Sequence, residues 1–354
     1  MRPAQAFTSD PAEALTISVV MPLFQGEATI GRAIASVQAQ TCPALEIIVI
    51  DDGSTDAGAA AVRAIDDPRI ELITQANAGS GAARNVGIHR ASGALIAFLD
   101  ADDEWLPGFF ERATRAFEDH PGTDFYFGDS VELGLATGTA ARAPDYAAQT
   151  SRPPGRTPAR TPARTPAHPA ARSAPVIRIA PPSSGSGKSL KRRIDQSLCT
   201  MLARRDRVLE LGGYYDRNGC RYGEDSVLAL LIHWNHPILR EHATVHLRHR
   251  LDSGLTRSNL RAPIVRPLVS DSDYALQRIE PPARPLARRL IAYLAALDAS
   301  RLAKAGRIAD ARKLLARTLR PVDLRHPELI LPLARVALRA LARVGRYRGT
   351  DRSD

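Results

Sequence analysis

From residue 17 the chain alternates short, continuously apolar runs with stretches of helical spacing. "ISVVMPLF" (17–24) reads as a strand, and "ATIGRAIASVQAQ" (28–40) carries apolar residues at helical intervals. "LEIIVIDDGS" (45–54) is a second strand running into a turn, followed by an Ala-rich helical stretch over 57–65. "RIELITQ" (69–75), "GSGAARNVGIHRA" (79–91) and "ALIAFLDADD" (94–103) continue as strand, helix and strand. Unbroken apolar strands alternating with helices of this length predict an α/β fold, a doubly wound and mostly parallel sheet. Ligands of such sheets bind beyond the carboxyl ends of the strands, and both "IIVIDD" and "IAFLDADD" end there in acids.

The pattern breaks from about 136 to 190. "SRPPGRTPARTPARTPAHPAARSAP" (151–175) repeats TPAR and offers almost no large apolar side chain, so a disordered insert is predicted. Structured signals resume near 191, and from about 283 the chain reads as Ala/Leu/Arg helices. The expected organisation is a flexible 1–16, one half of the sheet domain over 17–135, the insert over 136–190, the second half over 191–260 and a helical region over 261–354.

Composition adds a charge asymmetry. Residues 1–135 hold 8 Arg against 20 Asp and Glu, a net of −12; with +10 for the whole chain, the remainder carries +22. A basic second half can favour an anionic partner or simply be a solvated Arg-rich surface. Nucleic acid is not expected, since no stacking aromatics interleave with the arginines and no reader motif is present. The three cysteines fit neither a disulfide framework nor a metal knuckle and point to a reducing compartment, hence a cytoplasmic protein. The N-terminus has no apolar leader core, and no stretch reaches the ~18–20 uncharged apolar residues of a spanning helix.

Three constellations carry candidate chemistry. Asp100 and Asp102 sit two residues apart behind a strand, where hard carboxylate oxygens suit Mg2+ or Mn2+, although acidic turns are common without a metal. Asp52 at the end of the second strand can accept hydrogen bonds, with Gly53 allowing the turn and Ser54 or Thr55 capping the next helix. Glu224 and Asp225 precede an apolar helical run, where an acid pair complements the helix dipole even without catalysis. Two further motifs are decoys. "PSSGSGKS" (182–189) puts Pro182 where a phosphate loop needs glycine, so a Ser/Gly linker is expected there. "GSGAAR" (79–84) lacks the third glycine of a dinucleotide fingerprint.

Taken together in order and spacing, "SVVMPLFQGEATIGRAIASVQAQTCPALEIIVIDDGSTD" (18–56), "NAGSGAARNVGIHRASGALIAFLDADDEWLP" (77–107) and "LGGYYDRNGCRYGEDSVLALLIHW" (211–234) resemble a family 2 glycosyltransferase of the GT-A fold. The resemblance implies metal-dependent, inverting transfer from a nucleotide-diphosphate sugar, a UDP-sugar favoured, to a glycan or lipid-linked hydroxyl in cell-surface polysaccharide synthesis. It places Pro22, Phe24, Glu27, Asp51, Asp52, Asn77, Gly79, Arg84 and Asn85 around the nucleotide-sugar. Asp100 would touch ribose or assist the metal, and Asp102 would bind Mn2+ or Mg2+ directly. Asp225 would be the general base, with Glu224 and Trp234 on the acceptor side. His246 or His249 would lie near the diphosphate, against a default of core or surface histidines. The Arg-rich helices are expected to contact an anionic membrane at its inner face. Two rival readings are a non-catalytic nucleotide-sugar-binding scaffold and a metal-dependent nucleotidyltransferase; the latter wants a basic Gly-rich loop after the first strand, where no Lys or Arg occurs before Arg32.

Overall fold

The computed structural model describes residues 15–133, 175–249 and 265–349, with side chains to residue 342. The first half supplies β1 (Ile17–Leu23), α1 (Ile30–Gln38), β2 (Glu46–Asp51), α2 (Gly58–Arg63), β3 (Ile70–Thr74), α3 (Ser80–Arg90), β4 (Leu95–Phe98), β5 (Glu104–Trp105), α4 (Phe109–Asp119) and β6 (Phe125–Leu133). After residue 174 come β7 (Val176–Ile179), α5 (Gly187–Ile194), β8 (Met201–Arg204), α6 (Arg205–Glu210), α7 (Asp225–Asn235) and β9 (Ile238–His249). The C-terminal region is helical: α8 (Pro267–Ser270), α9 (Ser272–Gln277), α10 (Arg284–Lys304), α11 (Ile308–Thr318) and α12 (Ile330–Gly349).

One sheet runs β3-β2-β1-β4-β8-β6-β9-β5, with β7 also pairing β9. β1 to β4 are mutually parallel. β8 is antiparallel to both β4 and β6, and β6 runs parallel to β9. β9 is long enough to hold β7 at its start and β5 at its end, both antiparallel.

Both faces of the sheet are covered, which is why its central strands carry no polar alternation. Val19, Met21, Ile47 and Val49 pack with Ile34 and Val37 of α1 and Phe109 and Phe110 of α4. Their neighbours Val20, Ile48 and Ile50 point the other way, into a cluster with Ala83 and Ile88 of α3 and Leu228 and Leu231 of α7. Leu290, Ile291 and Leu294 of α10 belong to that same cluster, so the C-terminal helices are seated on the domain core.

α3 reaches β1 at a glycine. A Cβ on Gly87 would stand 2.3 Å from Cγ1 of Val20, inside van der Waals contact. Gly87→Ala is therefore expected to destabilise the protein by about 1–3 kcal/mol, measured by urea unfolding; an unchanged midpoint would mean that α3 can move away freely.

Of the segment 136–190 expected to be disordered, the described part, from residue 175 on, is ordered. Residues 134–174 lie outside the described ones, but Val176–Ile179 pair in register with Ile238–Glu241. The linker expected at 182–189 instead opens α5, where the Ser186 hydroxyl accepts from the Ser189 amide. A serine N-cap and the burial of Leu190 and Ile194 outweigh the polar composition. Among the described residues, no helix is long and apolar enough to cross a membrane.

Candidate active site

The ends of β1, β2 and β4 and the start of α7 converge on one edge of the sheet. At the end of β2, Asp52 is 3% exposed. It accepts from Nε2 of Gln75 at 2.8 Å and from the amides of Ala78 at 2.7 Å and Gly79 at 2.8 Å. Asp52 thus shapes the loop ahead of α3, in which Gly79 adopts φ 99°. Asp51 accepts from the Ser54 amide at 3.0 Å. Asn77 is held from across the cleft, its side-chain and main-chain oxygens accepting from Arg221.

Beyond Pro22 the chain leaves β1 with Phe24 exposed, and the loop is pinned to the segment after β2. The side-chain oxygen of Gln25 accepts from the amides of Thr55 and Asp56, and the Glu27 amide donates to Asp56 at 2.8 Å. The Glu27 carboxylate accepts from the Ala57 amide at 3.3 Å.

The acids behind β4 divide by what holds them. Oxygens of Asp100, Asp102 and Asp103 lie within 4.8 Å of one another. Asp100 pairs with Arg84 at 2.5 Å. Burial opposes its ionisation, but the Arg84 charge and hydrogen bond outweigh that and hold its carboxyl below the usual range. Asp103 accepts from the His249 amide at 3.1 Å and is paired with Nε2 of His246 at 2.9 Å. Asp102 has no side-chain partner among the described residues. Partial burial, then the charges of Asp100 and Asp103, push it up to about 6. An acid raised by its like-charged neighbours is one that a cation would relieve. The three carboxylates therefore fit a hard divalent ion, with Asp102 free to bind it.

At the opening of α7, Glu224 accepts from the Ser80 hydroxyl at 2.5 Å and from Arg84 at 3.1 Å. Asp225 is open to solvent yet has protein packed around it. That crowding, with Glu224 beside it, pushes its carboxyl up to about 6, while Arg84 partly offsets the rise. Arg84 is 8% exposed and its guanidinium lies 4.9 Å from the ring centroid of Tyr214. One buried cation so joins the acid of β4 to the acid pair of α7. Asn85, one residue on, is taken up by the 214–216 segment: it donates to the Tyr214 carbonyl and to Asp216 and accepts from the Tyr214 amide at 2.8 Å.

Two expectations are corrected. Trp234, expected on the acceptor side, is 1% exposed, within the hydrophobic core. It stands nine residues along α7 from Asp225, about 13 Å away. His246, a candidate for the diphosphate, is 0% exposed and bonded on both ring nitrogens, to Asp103 and to Ser130 at 2.9 Å. It is a core histidine. His249 is half-buried against Glu104 at 2.6 Å. Glu104 also pairs with Arg32 at 2.9 Å, and Arg32 donates to the Asp102 carbonyl at 2.9 Å.

Ser80, Tyr214, Arg221 and Arg248 escaped the sequence reading. Arg248 lies near enough for its charge to lower Asp102. Nothing in the local sequence distinguishes it among 44 arginines. Ser80 follows Gly79 directly, and that adjacency is its signal; Tyr214 lies ten residues ahead of Glu224, inside the stretch 211–234, with no local mark of its own.

Residues 18–165 match the family model described as "Glycosyl transferase family 2". Among curated proteins, the chain is 43% identical over 106 residues to the uncharacterized glycosyltransferase YibD of Escherichia coli K12, covering 29% of this chain and 31% of that protein. It is 42% identical over 96 residues to the UDP-Glc:alpha-D-GlcNAc-diphosphoundecaprenol beta-1,3-glucosyltransferase WfgD of Escherichia coli, covering 27% and 38%. Succinoglycan biosynthesis protein ExoO of Rhizobium meliloti is 44% identical over 97 residues, covering 27% and 28%. The matches thus span about a third of the length of these relatives. Among solved structures, S. aureus TarS in complex with UDP-GlcNAc superposes with a TM-score of 0.52 at 17% identity, covering 92% of this chain and 81% of that one. Mannosyltransferase PcManGT from Pyrobaculum calidifontis in complex with GDP-Man and Mn2+ gives 0.51 at 16%, covering 94% and 88%. The likeness to both is one of fold, and it makes the architecture GT-A-like.

Proposed function

We propose, on the match of residues 18–165 to the family model of glycosyl transferase family 2, that the chain transfers a sugar from a nucleotide-diphosphate donor to a hydroxyl acceptor with inversion at the anomeric carbon. The observation that carries this reading is the Arg84 bridge, which brings Asp100 of the β4 loop and Glu224 beside Asp225 into one cleft.

Asp225 accepts the proton of the acceptor hydroxyl as its oxygen attacks the anomeric carbon. The bond to the diphosphate breaks with its electron pair leaving on the nucleotide. A single displacement with no protein nucleophile inverts the centre. Glu224, held by Ser80 and Arg84, positions the acceptor side. Asp102, assisted by Asp100, would hold Mn2+ or Mg2+, whose charge offsets that of the departing diphosphate. Arg248 adds a cation beside the same acids.

A UDP-sugar donor and a lipid-linked or glycan acceptor are supported by the name of WfgD, and polysaccharide synthesis by that of ExoO. Three free cysteines are in keeping with a cytoplasmic site of action.

The test is a screen of nucleotide-sugars with Mn2+ or Mg2+, following release of nucleoside diphosphate. Wild type is expected to turn over at least one donor, and Asp102→Ala to lose at least 100-fold in rate. A wild type that neither binds nor turns over any donor sinks the transferase reading; an unimpaired Asp102→Ala sinks the metal assignment alone.

A further inference from the structure

We propose that the exposed apolar stripe of α12 is a docking surface for an anionic lipid bilayer. This stands on the C-terminal helices and does not depend on the transfer reaction.

α12 has two apolar faces where a surface helix ordinarily has one. Val336 is 5% exposed and, with Leu329 just ahead of the helix at 1%, faces the rest of the protein. At about 100° per residue, Leu331, Leu338 and Leu341 fall together on the opposite side. They are 61%, 66% and 67% exposed, with Ile330 beside them at 65%. Val322 and Leu324, in the turn leading to the helix, are more than half exposed as well. A row of long aliphatic side chains held out in water on an ordered helix marks a contact surface.

The charges of the same C-terminal segment point to the partner. Residues 307–342 hold eight Lys and Arg against three acids. Each of those acids is already engaged: Asp310 with Arg307 at 2.6 Å, Asp323 with the Arg320 amide at 2.7 Å, and Glu328 with Arg289 at 2.8 Å and the Gly187 amide at 3.0 Å. Arg312, Lys313, Arg317, Arg325 and Arg335 are all exposed and face no uncommitted acid of their own segment. A second copy docked about a two-fold axis would set these cations against themselves. A surface of acidic headgroups neutralises them and also offers the acyl boundary, about 5–10 Å deep, that leucine side chains enter.

The experiment floats the full chain with vesicles of phosphatidylglycerol and phosphatidylcholine, and with phosphatidylcholine alone. The comparison protein is Leu331→Glu/Leu338→Glu/Leu341→Glu, whose sites are exposed and whose folding is checked by circular dichroism. Wild type is expected to float with the anionic vesicles and to be released at high salt. The triple variant is expected to bind them at least tenfold more weakly. Absence of wild-type binding, or equal binding by a folded triple variant, overturns the proposal. Light scattering supplies the other arm: a wild-type dimer that the triple variant abolishes would assign the stripe to a second copy and overturn it too.

Discussion

Replacing Asp225 with Asn is expected to lower kcat for sugar transfer by about 10²–10⁴-fold, the usual contribution of a positioned general base, while the donor KM changes little. Asn keeps the shape of the side chain and cannot take a proton. The pH profile adds a second reading. Because surrounding protein and then Glu224 raise Asp225 to about 6, wild-type kcat/KM should climb with pH through an acidic limb near that value. The residual activity of Asp225→Asn should show no such limb. The series belongs at saturating metal ion, since Asp102, also raised to about 6, titrates in the same window. Stability moves the opposite way from activity. A carboxyl whose folded pKa lies above its ordinary 3.8 disfavours the charged form in the fold. Its contribution is therefore most favourable below pH ~4 and is lost as pH rises to ~6. Solvent access reduces the penalty to about 1 kcal/mol, so Asp225→Asn should melt about 1–3 °C higher at pH 7.5. An undiminished kcat would remove Asp225 from the chemistry; a lower melting temperature would mean that its charge is stabilised where it stands.

The second large effect belongs to Arg84. Arg84→Met removes a buried guanidinium and leaves Asp100 and Glu224 without their shared counter-charge. Losing one side of a buried pair typically costs about 3–5 kcal/mol, and urea unfolding should show a loss of that size. Adding Glu224→Gln should recover part of it, because one stranded charge is then gone. Arg84→Lys keeps the charge but not the fork that reaches two carboxylates, and should fall between. Since Arg84 also draws Asp225 downward, its removal should shift the acidic limb of the rate profile above 6. Full stability in Arg84→Met would show that the two acids find water or other partners.

Much of the first half was legible because its strands are buried on both faces. Val19 and Val20 point into different clusters, so β1 reads as one apolar run with turns at either end. β7 was not legible: "VIRI" gains its meaning only from Ile238–Glu241, some sixty residues on, and no local pattern announces that pairing. The site divided in the same way. Asp102 and Asp225 stood out by their place at the ends of a strand and the start of a helix. The roles of Asp103 and Glu104 were not legible, because their partners His246, His249 and Arg32 lie far away in sequence. Trp234 misled for a related reason: proximity to Asp225 in sequence says nothing about the far end of a buried helix.

The position of β8 governs how this protein can be divided and how it can be made. β8 lies between β4 and β6 although it follows both by many residues. In the folded sheet β8 pairs with β4 on one side and β6 on the other, so a chain lacking residues 201–204 would leave those edges unpaired. The family match ends at residue 165, well before β8. A fragment cut there would keep the acids of β2 and β4 but expose adhesive edges, and should aggregate. A fragment meant to fold alone is therefore expected to need β8.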